Sequence, residues 1–294
     1  MKKKILILVV AIFSFTIPAQ GKDPGPRPRI ISLYAAHTEI LLRLGARENL
    51  VGISRQETYQ GPETEGWTTP PTFTTDDDVE KFLAAKPDLV LLRPMHLANR
   101  PLISALRRAR IKIKALQVLK YDELYQYWRD LGALVERSSE AENMISDFDH
   151  QIAAYYEAAN RQPDHEKPGI FLEAIHDQIK TFTPGSLPVW LVELAGGHNV
   201  ARDAQPQVAD LIITEYGPER LLAKAGEVNI FISQSGPMNN TPLAQIKKRR
   251  LYQPLRAFKE NRIYKIPEAI LARPTPSLLE GLKKISTLTG LEVK

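Results

Sequence analysis

The sequence predicts an α/β protein of two lobes, each a mostly parallel sheet with flanking helices, joined by one long connector helix. Short apolar runs alternate with helical patterns in both halves of the chain, which is typical of lobes built on parallel strands. A helical stretch with few breaks separates the two series. Residues 80–92 also align without a gap with residues 219–231, each segment having an acidic helix start, a break and a buried strand. We interpret this repeat as a duplication with a ligand cleft between two related lobes.

The first 21 residues have the three parts of a secretory signal peptide. Residues 2–4 are lysines, residues 5–17 are mainly apolar, and small residues stand at positions 19 and 21. The apolar run is too short for a permanent membrane-spanning helix. The chain contains no cysteine, which excludes a lipid-attachment cysteine, disulfides and thiolate metal sites. We therefore expect residues 1–21 to be removed and the mature protein to be free in the periplasm.

The charge balance argues against a nucleic-acid partner. The formal net charge is +5, and loss of the three signal-peptide lysines leaves 36 basic against 34 acidic residues. This small excess is not the strong basic bias of a nucleic-acid-binding surface. We interpret the basic run at residues 247–250 as a solvated helix or loop face.

Residues 22–120 are predicted to form the N-terminal lobe. Its apolar runs predict strands at residues 30–33, 50–53, 89–92 and 111–116. Two of its helices are predicted at residues 79–85 and 101–110. A further helix is predicted between Thr38, a possible N-cap, and Gly45, a plausible C-cap. The Thr-, Pro- and Gly-rich segment at residues 56–75 should be irregular.

Residues 121–163 are predicted to form a helical connector. The pattern at residues 121–134 is helical, and a longer helix follows it. Ser139 and Glu142 have the spacing of a capping box, in which each side chain accepts a hydrogen bond from the other residue's backbone N–H. Apolar residues then recur at helical spacing up to Pro163, which should end the helix. A continuous helix of this length favours a stiff connection.

Residues 164–294 are predicted to form the C-terminal lobe. Its predicted strands lie at residues 169–172, 228–232 and 262–266. Its predicted helices lie at residues 188–195 and 218–225. A last helix is predicted from Pro276, with Thr275 as its N-cap.

Seven segments, taken in order, resemble one family. They are residues 29–40 (Arg-Ile-Ile-Ser-Leu-Tyr-Ala-Ala-His-Thr-Glu-Ile), 51–54, 79–90, 195–199, 257–264, 273–274 and 279–282. Together they resemble the helical-backbone periplasmic binding proteins, which serve importers of vitamin B12, iron siderophores and haem. The resemblance covers nearly the whole mature chain. It implies two α/β lobes joined by one long helix, only small hinge motion, and binding without chemistry.

The resemblance also implies the partners of this chain. Its members deliver a ligand to an inner-membrane ABC permease dimer with ATPase subunits, and one acidic residue per lobe meets arginines on that importer. Glu80 and Glu219 occupy those positions in this sequence. We expect a monomer with no intrinsic cofactor, and a metal chelate as the transported ligand.

Loops at strand ends face the cleft in such a fold, and they hold the candidate ligand contacts. Tyr34 follows the first strand, and a tyrosine can ligate ferric haem or pack on a flat ligand. Met95 and His96 follow the third strand, and both residue types can ligate iron or cobalt. His176 and Met238, which follow strands of the C-terminal lobe, are further candidates.

Three arginines are candidates for binding an anionic chelate. Arg55, Arg93 and Arg273 can each pair an oxyanion through two parallel N–H groups. Arg273 stands in the position of a ligand-facing arginine of the family. Where the vitamin B12 binder of the family has aromatic stacking groups, this chain has Thr74 and Arg93, a departure that argues against cobalamin itself.

Two other functions stay open on the sequence. The same fold could bind an oxyanion such as molybdate or a free metal such as nickel. A metal-dependent hydrolase is the enzyme alternative, but the sequence has no Gly-x-Ser-x-Gly, no His-Glu-x-x-His and no phosphate-binding glycine loop. The six histidines are scattered, and we expect His37 and His198, near helix ends, to be structural. We therefore expect a binding protein and not an enzyme.

Overall fold

The computed structural model describes residues 27–56, 59–206, 211–237 and 239–293. The predicted signal peptide and the candidate residue Met238 lie outside these ranges. The strands are β1 (Ile30–Ser32), β2 (Leu50–Ser54), β3 (Thr72–Phe73), β4 (Leu89–Leu92), β5 (Lys112–Ala115), β6 (Gly169–Ile175), β7 (Lys180–Phe182), β8 (His198–Asn199), β9 (Ile213–Glu215), β10 (Ile230–Ser235) and β11 (Ile263–Pro267). The helices are α1 (Ala35–Arg43), α2 (Val79–Ala84), α3 (Arg100–Arg108), α4 (Leu124–Leu134), α5 (Ser138–Arg161), α6 (Leu187–Leu194), α7 (Pro218–Ala223), α8 (Leu243–Lys248), α9 (Arg256–Lys259), α10 (Glu268–Leu271) and α11 (Leu278–Thr289).

The N-terminal lobe is built on a five-stranded parallel sheet with the order β3-β2-β1-β4-β5. Ile30 and Ile31 of β1 point to opposite faces, and both are fully buried. Ile30 packs in the apolar cluster of α1 and α4, and Ile31 in the cluster of α2 and α3. Helices therefore cover both faces, as a parallel sheet of apolar strands requires.

The sheet of the C-terminal lobe is mixed. Its order is β11-β10-β6-β7-β9, and β8 also pairs with β6. The pairs of β10 with β11, β10 with β6, and β6 with β8 are parallel, whereas β7 is antiparallel to β6 and β9. The sequence did not predict β7, β8 or β9, because strands of two or three residues are too short to show an alternating pattern. The predicted fold class is confirmed, with these antiparallel strands as an addition.

One apolar core runs through both lobes. It joins Ile40 of α1 and Trp128 of α4 to Leu191 of α6 and Leu282 of α11. Trp128 is fully buried, and its Nε1 donates to the carbonyl oxygen of Pro274 in the C-terminal lobe at 2.9 Å. Because burial of apolar surface contributes about 25 cal/mol per Å², moving the lobes apart would expose this core at a high cost.

A buried carboxylate links the lobes a second time. Glu39 of α1 is 2% exposed, and its Oε1 accepts from Arg43 Nε at 3.0 Å and from the Ser277 hydroxyl at 2.5 Å. Ser277 directly precedes α11 of the C-terminal lobe. Since a buried carboxylate is costly without hydrogen-bond partners, this contact fixes α1 against the start of α11.

The first helix begins earlier than the sequence predicts. Thr38 lies inside α1, where its hydroxyl donates to Ser32 Oγ at 2.8 Å, so it is not the N-cap. The predicted end is correct to one residue. Gly45 follows the C-cap with φ of +69°, a left-handed conformation that favours glycine, and the N–H of Ala46 donates to the Leu41 carbonyl at 2.9 Å.

Two other predicted caps are wrong. Ser139 is the second residue of α5, and its hydroxyl donates to Glu140 at 2.9 Å, so the capping box with Glu142 does not form. The last helix, α11, begins at Leu278, two residues later than predicted. Thr275 is therefore outside the cap position, and only its carbonyl oxygen meets the helix, by accepting from the N–H of Leu278 at 3.1 Å.

Ligand binding should change the overall dimensions of the protein only slightly. The shared core and the Glu39 contact hold the lobes at one separation, in addition to the 24-residue helix α5. Small-angle X-ray scattering of the mature protein with and without its saturating ligand should give nearly equal radii of gyration. A large decrease on binding would contradict this expectation and indicate a hinged cleft.

Candidate ligand-binding site

A cavity of about 210 Å³ lies between the two lobes. Its lining residues from the N-terminal lobe are Tyr34, Arg93, Gln117 and Val118. Its lining residues from the C-terminal lobe are Phe182, Leu211, Ile212, Ile213, Gln234, Glu268 and Ala272. The two halves of the chain thus contribute one wall each.

The parallel strands explain why these polar side chains meet. Tyr34 lies two residues beyond β1, Arg93 follows β4, and Gln117 lies two residues beyond β5. In the other lobe, Gln234 lies near the end of β10, and Glu268 directly follows β11. The carboxyl ends of parallel strands meet at one edge of a sheet. The two sheets therefore bring side chains from five strand ends around one cavity.

Arg93 and Tyr34 form the N-terminal wall. The guanidinium carbon of Arg93 lies 5.0 Å from the centre of the Tyr34 ring, which is a cation–π contact. Burial raises the pKa of Tyr34 to about 12, while the charges of Arg93 and Arg273 oppose this shift and that of Glu268 reinforces it. The phenol is therefore protonated at neutral pH. It offers an O–H donor and an aromatic face, and metal coordination by its oxygen would require loss of the proton.

A buried histidine lies behind Tyr34. His37 is fully buried, and its ring stands edge-on to that of Tyr34 with 5.2 Å between centroids. Burial lowers the pKa of His37 to about 3, although its hydrogen bond to the Leu116 carbonyl opposes the shift. The imidazole is therefore neutral, and its Nε2 donates to the Leu116 oxygen at 3.3 Å. His37 thus packs in the core beneath the Tyr34 ring.

Met95 and His96 lie on a single-turn 3-10 helix, Pro94–Ala98, next to the N-terminal wall. The backbone N–H of Arg93 donates to His96 Nδ1 at 3.3 Å, so the proton of the neutral ring is on Nε2. Burial, followed by the charge of Arg93, lowers the pKa of His96. Met95 is 63% exposed. Neither side chain is in the cavity lining, and ligand contact by either stays a prediction.

The C-terminal wall is largely apolar. Phe182 ends β7, Ile213 begins β9, and Ile212 precedes it. Gln234 is 1% exposed, and its Oε1 has no hydrogen-bond partner among the described residues. A buried carboxamide oxygen without a donor costs free energy. A ligand group that donates to Gln234 would therefore bind favourably, and Glu268 adds a negative charge to the same wall.

His176 lies apart from the cavity lining, in the interior of the C-terminal lobe. Its Nδ1 is 2.9 Å from Glu173 Oε1, and the Tyr252 hydroxyl donates to the same oxygen at 2.6 Å. Arg249 donates to the carbonyl oxygen of His176. The basic run at residues 247–250 is therefore not a fully solvated face, because one of its members is bonded to this interior network.

Two candidate arginines differ in their positions. Arg273 is 5% exposed, follows Ala272 of the cavity lining, and acts through its charge on the Tyr34 phenol. Arg55 is exposed and pairs with Asp77 at 3.2 Å, outside the lining. Ligand binding by either arginine stays a prediction.

The described part of the chain contains no group of three or more His, Cys, Asp or Glu side chains placed to hold a metal ion. His198 lies in β8, where its Nδ1 is 3.0 Å from the carbonyl oxygen of Lys167.

Within the residue ranges that the structure describes, no helix is both long enough and apolar enough to cross a membrane.

The structure thus combines two α/β lobes, one long connecting helix and, between the lobes, a cavity with a polar and an apolar wall. A family model with the description "Periplasmic binding protein" matches residues 30–270. The chain therefore belongs to the periplasmic binding protein family, and it is the solute-binding component of an ABC importer. The resemblance noted in the sequence is confirmed.

Individual relatives are similar to this chain over most or nearly all of its length. The Vitamin B12-binding protein of Vibrio cholerae serotype O1 is 26% identical over 293 residues, which are 99% of each chain. The solved structure of the periplasmic Vitamin B12 binding protein BtuF of Vibrio cholerae has a TM-score of 0.67 at 21% identity and covers 90% of this chain and 97% of that one. The periplasmic heme-binding protein RhuT of Roseiflexus sp. RS-1 has a TM-score of 0.72 at 20% identity, with coverage of 90% and 98%. At these identities the structural likeness shows a shared fold only.

Part of the cavity lining could have been found from the sequence. Gln117, Gln234 and Glu268 stand at ends of strands that the sequence predicts, which is the signal that led to Tyr34, Met95 and His96. The apolar wall gave no such signal, because it depends on β7 and β9 and neither strand was predicted.

Replacing His37 by glutamine should reduce the loss of stability in acid. The pKa of His37 falls from its ordinary 6.5 to about 3 on folding, so the unfolded state binds more protons between these values. The wild type therefore loses stability as the pH falls through this range, by up to about 1.4 kcal/mol per pH unit from this group. Urea unfolding measured from neutral pH down to about pH 4 should give a shallower slope in His37→Gln.

His165→Gln is the matched control, because the side chain of His165 is 81% exposed. Its pH slope should equal that of the wild type. Equal slopes in His37→Gln and wild type would show that His37 is not held neutral by burial.

Proposed function

We propose that the chain binds one metal chelate in the interlobe cavity and delivers it to an inner-membrane ABC permease. The cargo would be an iron siderophore, haem or a cobalamin-like compound. The observation that carries this proposal is the pairing of a cationic wall, with Arg93, and an apolar wall, with Phe182 and Ile213, across one cavity. Chelates of this kind combine acidic or polar groups with extended apolar surface, so they match both walls.

The apolar wall favours a chelate over the alternatives. Molybdate and bare nickel have no apolar surface, so contact with Phe182, Ile212 and Ile213 would gain nothing from the hydrophobic effect. Arginine pairs oxyanions bidentately, so Arg93 and Arg273 keep an oxyanion as the second candidate. Relatives described as binding vitamin B12 and haem support the larger ligand.

The size of the cavity limits how a chelate would be held. Its volume of about 210 Å³ is below the roughly 300–1,000 Å³ of a pocket that encloses a drug-sized ligand. Because the shared core holds the lobes in place, we expect the chelate to insert one edge between Arg93 and Phe182. The rest of the ligand would then lie at the mouth of the cleft.

We also propose that the mature chain is a periplasmic monomer, soluble after loss of residues 1–21. The basic, apolar and small-residue pattern of those residues supports export. The family assignment supports a periplasmic location for the solute-binding step.

Docking on the importer would use Glu80 and Glu219. Each is the second residue of a six-residue helix, α2 or α7, and each is exposed. The helix macrodipole favours a carboxylate in the first turn by roughly 0.3–1 kcal/mol, which explains either residue alone. The same acid at the same step of two repeated helices suits a permease dimer with matching arginines.

Arg93→Gln should weaken chelate binding about tenfold, because a hydrogen bond to a charged group contributes about 1.5–3 kcal/mol. Calorimetry of the mature protein against haem, ferric siderophores, cobalamin and molybdate should show one saturable compound, which is then titrated into the variant. Arg107→Gln removes an exposed cation of α3 and should bind like wild type. Absence of binding to all four at micromolar concentrations would reject the cargo proposal, and binding of molybdate alone would select the oxyanion.

The double change Glu80→Gln and Glu219→Gln should leave ligand affinity intact and impair both uptake and importer-stimulated ATP hydrolysis. Charges at an interface rim mainly set orientation and association rate, and salt screens them, so the loss should be several-fold and largest at low ionic strength. The control is Glu48→Gln with Glu157→Gln, which removes two exposed carboxylates elsewhere. Normal uptake by the Glu80 and Glu219 variant through the reconstituted importer would show that both residues only begin helices.

A further inference from the structure

We propose that the protein has a second, oxyanion-binding pocket at the amino end of α6, next to the interlobe cavity. This pocket has a volume of about 330 Å³ and shares Leu211 and Ile212 with the cavity lining. Its polar side chains include Lys120, Thr183 and Ser186. The ligand group that it fits is a carboxylate or a phosphate.

A tight turn presents the start of α6 to this pocket. Thr183, Pro184, Gly185 and Ser186 form a β-turn, in which the N–H of Ser186 donates to the Thr183 carbonyl at 3.3 Å. Proline suits the second position of such a turn, and Gly185 has φ of +81°, which favours glycine at the third. Ser186 is the N-cap residue of α6, so the turn fixes where the helix begins.

Ser186 stands at the cap position but does not cap the helix. It is 1% exposed, and its hydroxyl oxygen has no hydrogen-bond partner among the described residues. The N–H groups of Leu187 and Val189 lie in the first turn, where no intrahelical acceptor exists, and Pro188 between them has no N–H. A buried hydroxyl without a partner is costly, which points to a ligand that bonds to Ser186 and accepts from the N–H groups at the start of the helix.

Lys120 supplies the positive charge. Its backbone forms an antiparallel bridge with Ser186, which brings the end of the N-terminal lobe against the start of α6. The lysine side chain is exposed and lines the pocket. Glu123 is the one carboxylate of the described lining, and it accepts from the backbone N–H groups of Leu119 and Lys120 at 2.8 and 3.3 Å. The Glu123 carboxylate is therefore already hydrogen-bonded to the backbone.

Apart from the Glu123 carboxylate, the polar groups described above are hydrogen-bond donors or carry positive charge. A helix N-terminus binds anions through its free N–H groups and its dipole, and the Ser186 hydroxyl and Lys120 ammonium add to both. The oxyanion has two possible sources, an acidic arm of the transported chelate that enters along the shared wall, or free phosphate. The first source rests on the proposed function, whereas the pocket itself does not.

Inorganic phosphate is the probe for the ligand-free mature protein. We expect saturable changes in the amide NMR shifts of Ser186, Leu187 and Val189. Lys120→Gln should weaken the apparent phosphate affinity about fivefold, since it removes the charge-assisted contact. Ser186→Ala should weaken it about threefold. The control Lys112→Gln, which removes an exposed cation of β5, should titrate like wild type.

Shifts that do not saturate, or equal phosphate affinity in Lys120→Gln and Lys112→Gln, would overturn the pocket. Competition between phosphate and the chelate found by calorimetry would identify the anion as the chelate's own arm, and simultaneous binding would identify a separate anion. If phosphate does not bind and the chelate does, only the second pocket is rejected. If phosphate binds saturably and none of the tested chelates binds, only the proposed cargo is rejected.

Discussion

The apolar core that the two lobes share is the constraint on which the rest of the structure depends. Two lobes with separate cores would be free to open and close about their connection. Here Trp128 of α4, the connector helix that packs against α1, belongs to the same apolar cluster as Leu191 of the C-terminal lobe, and its indole N–H is bonded to Pro274. Because separating the lobes would expose this cluster to water, the cavity keeps one shape. In the proposed function, ligand selectivity would then come from side chains that already line the cavity.

A cavity of fixed shape gives a reason for its incompletely bonded polar atoms. Gln234 Oε1 and Arg93 Nε are both buried, and neither has a hydrogen-bond partner among the described residues. Such atoms cost free energy in the folded protein, and in a cavity that does not close, their partners must come from what enters it. A ligand that bonds to them regains this free energy without paying to order the site, which is the advantage of a preorganised pocket.

The sequence predicted the elements that carry a periodic apolar signal. Strand β4 matches its predicted bounds, and α2 matches to one residue. Helix starts were less predictable, because Thr38 and Ser139 have side chains that can cap a helix but are bonded to other side chains instead. The lining of the interlobe cavity also divides into residues that the sequence pattern predicts and residues that it does not. Its polar wall lies at predictable strand ends, whereas Phe182 belongs to a three-residue strand with no recognisable pattern.

The two lobes share part of their order of strands and helices, whereas the two walls of the cavity between them differ. The parallel order β1-β4-β5 of one lobe recurs as β6-β10-β11 in the other, and the helix before β4 or β10 keeps an exposed glutamate at its second position. In the second lobe, β7 and β9 extend the sheet beyond β6, on the side away from β10, and place Phe182 and Ile213 across from Arg93. In the proposed function, a two-fold importer would contact two equivalent outer faces, whereas an amphiphilic chelate would contact two unlike inner walls. The antiparallel strands on that side of β6 would allow both, because they leave the order of the repeated strands and helices the same in the two lobes.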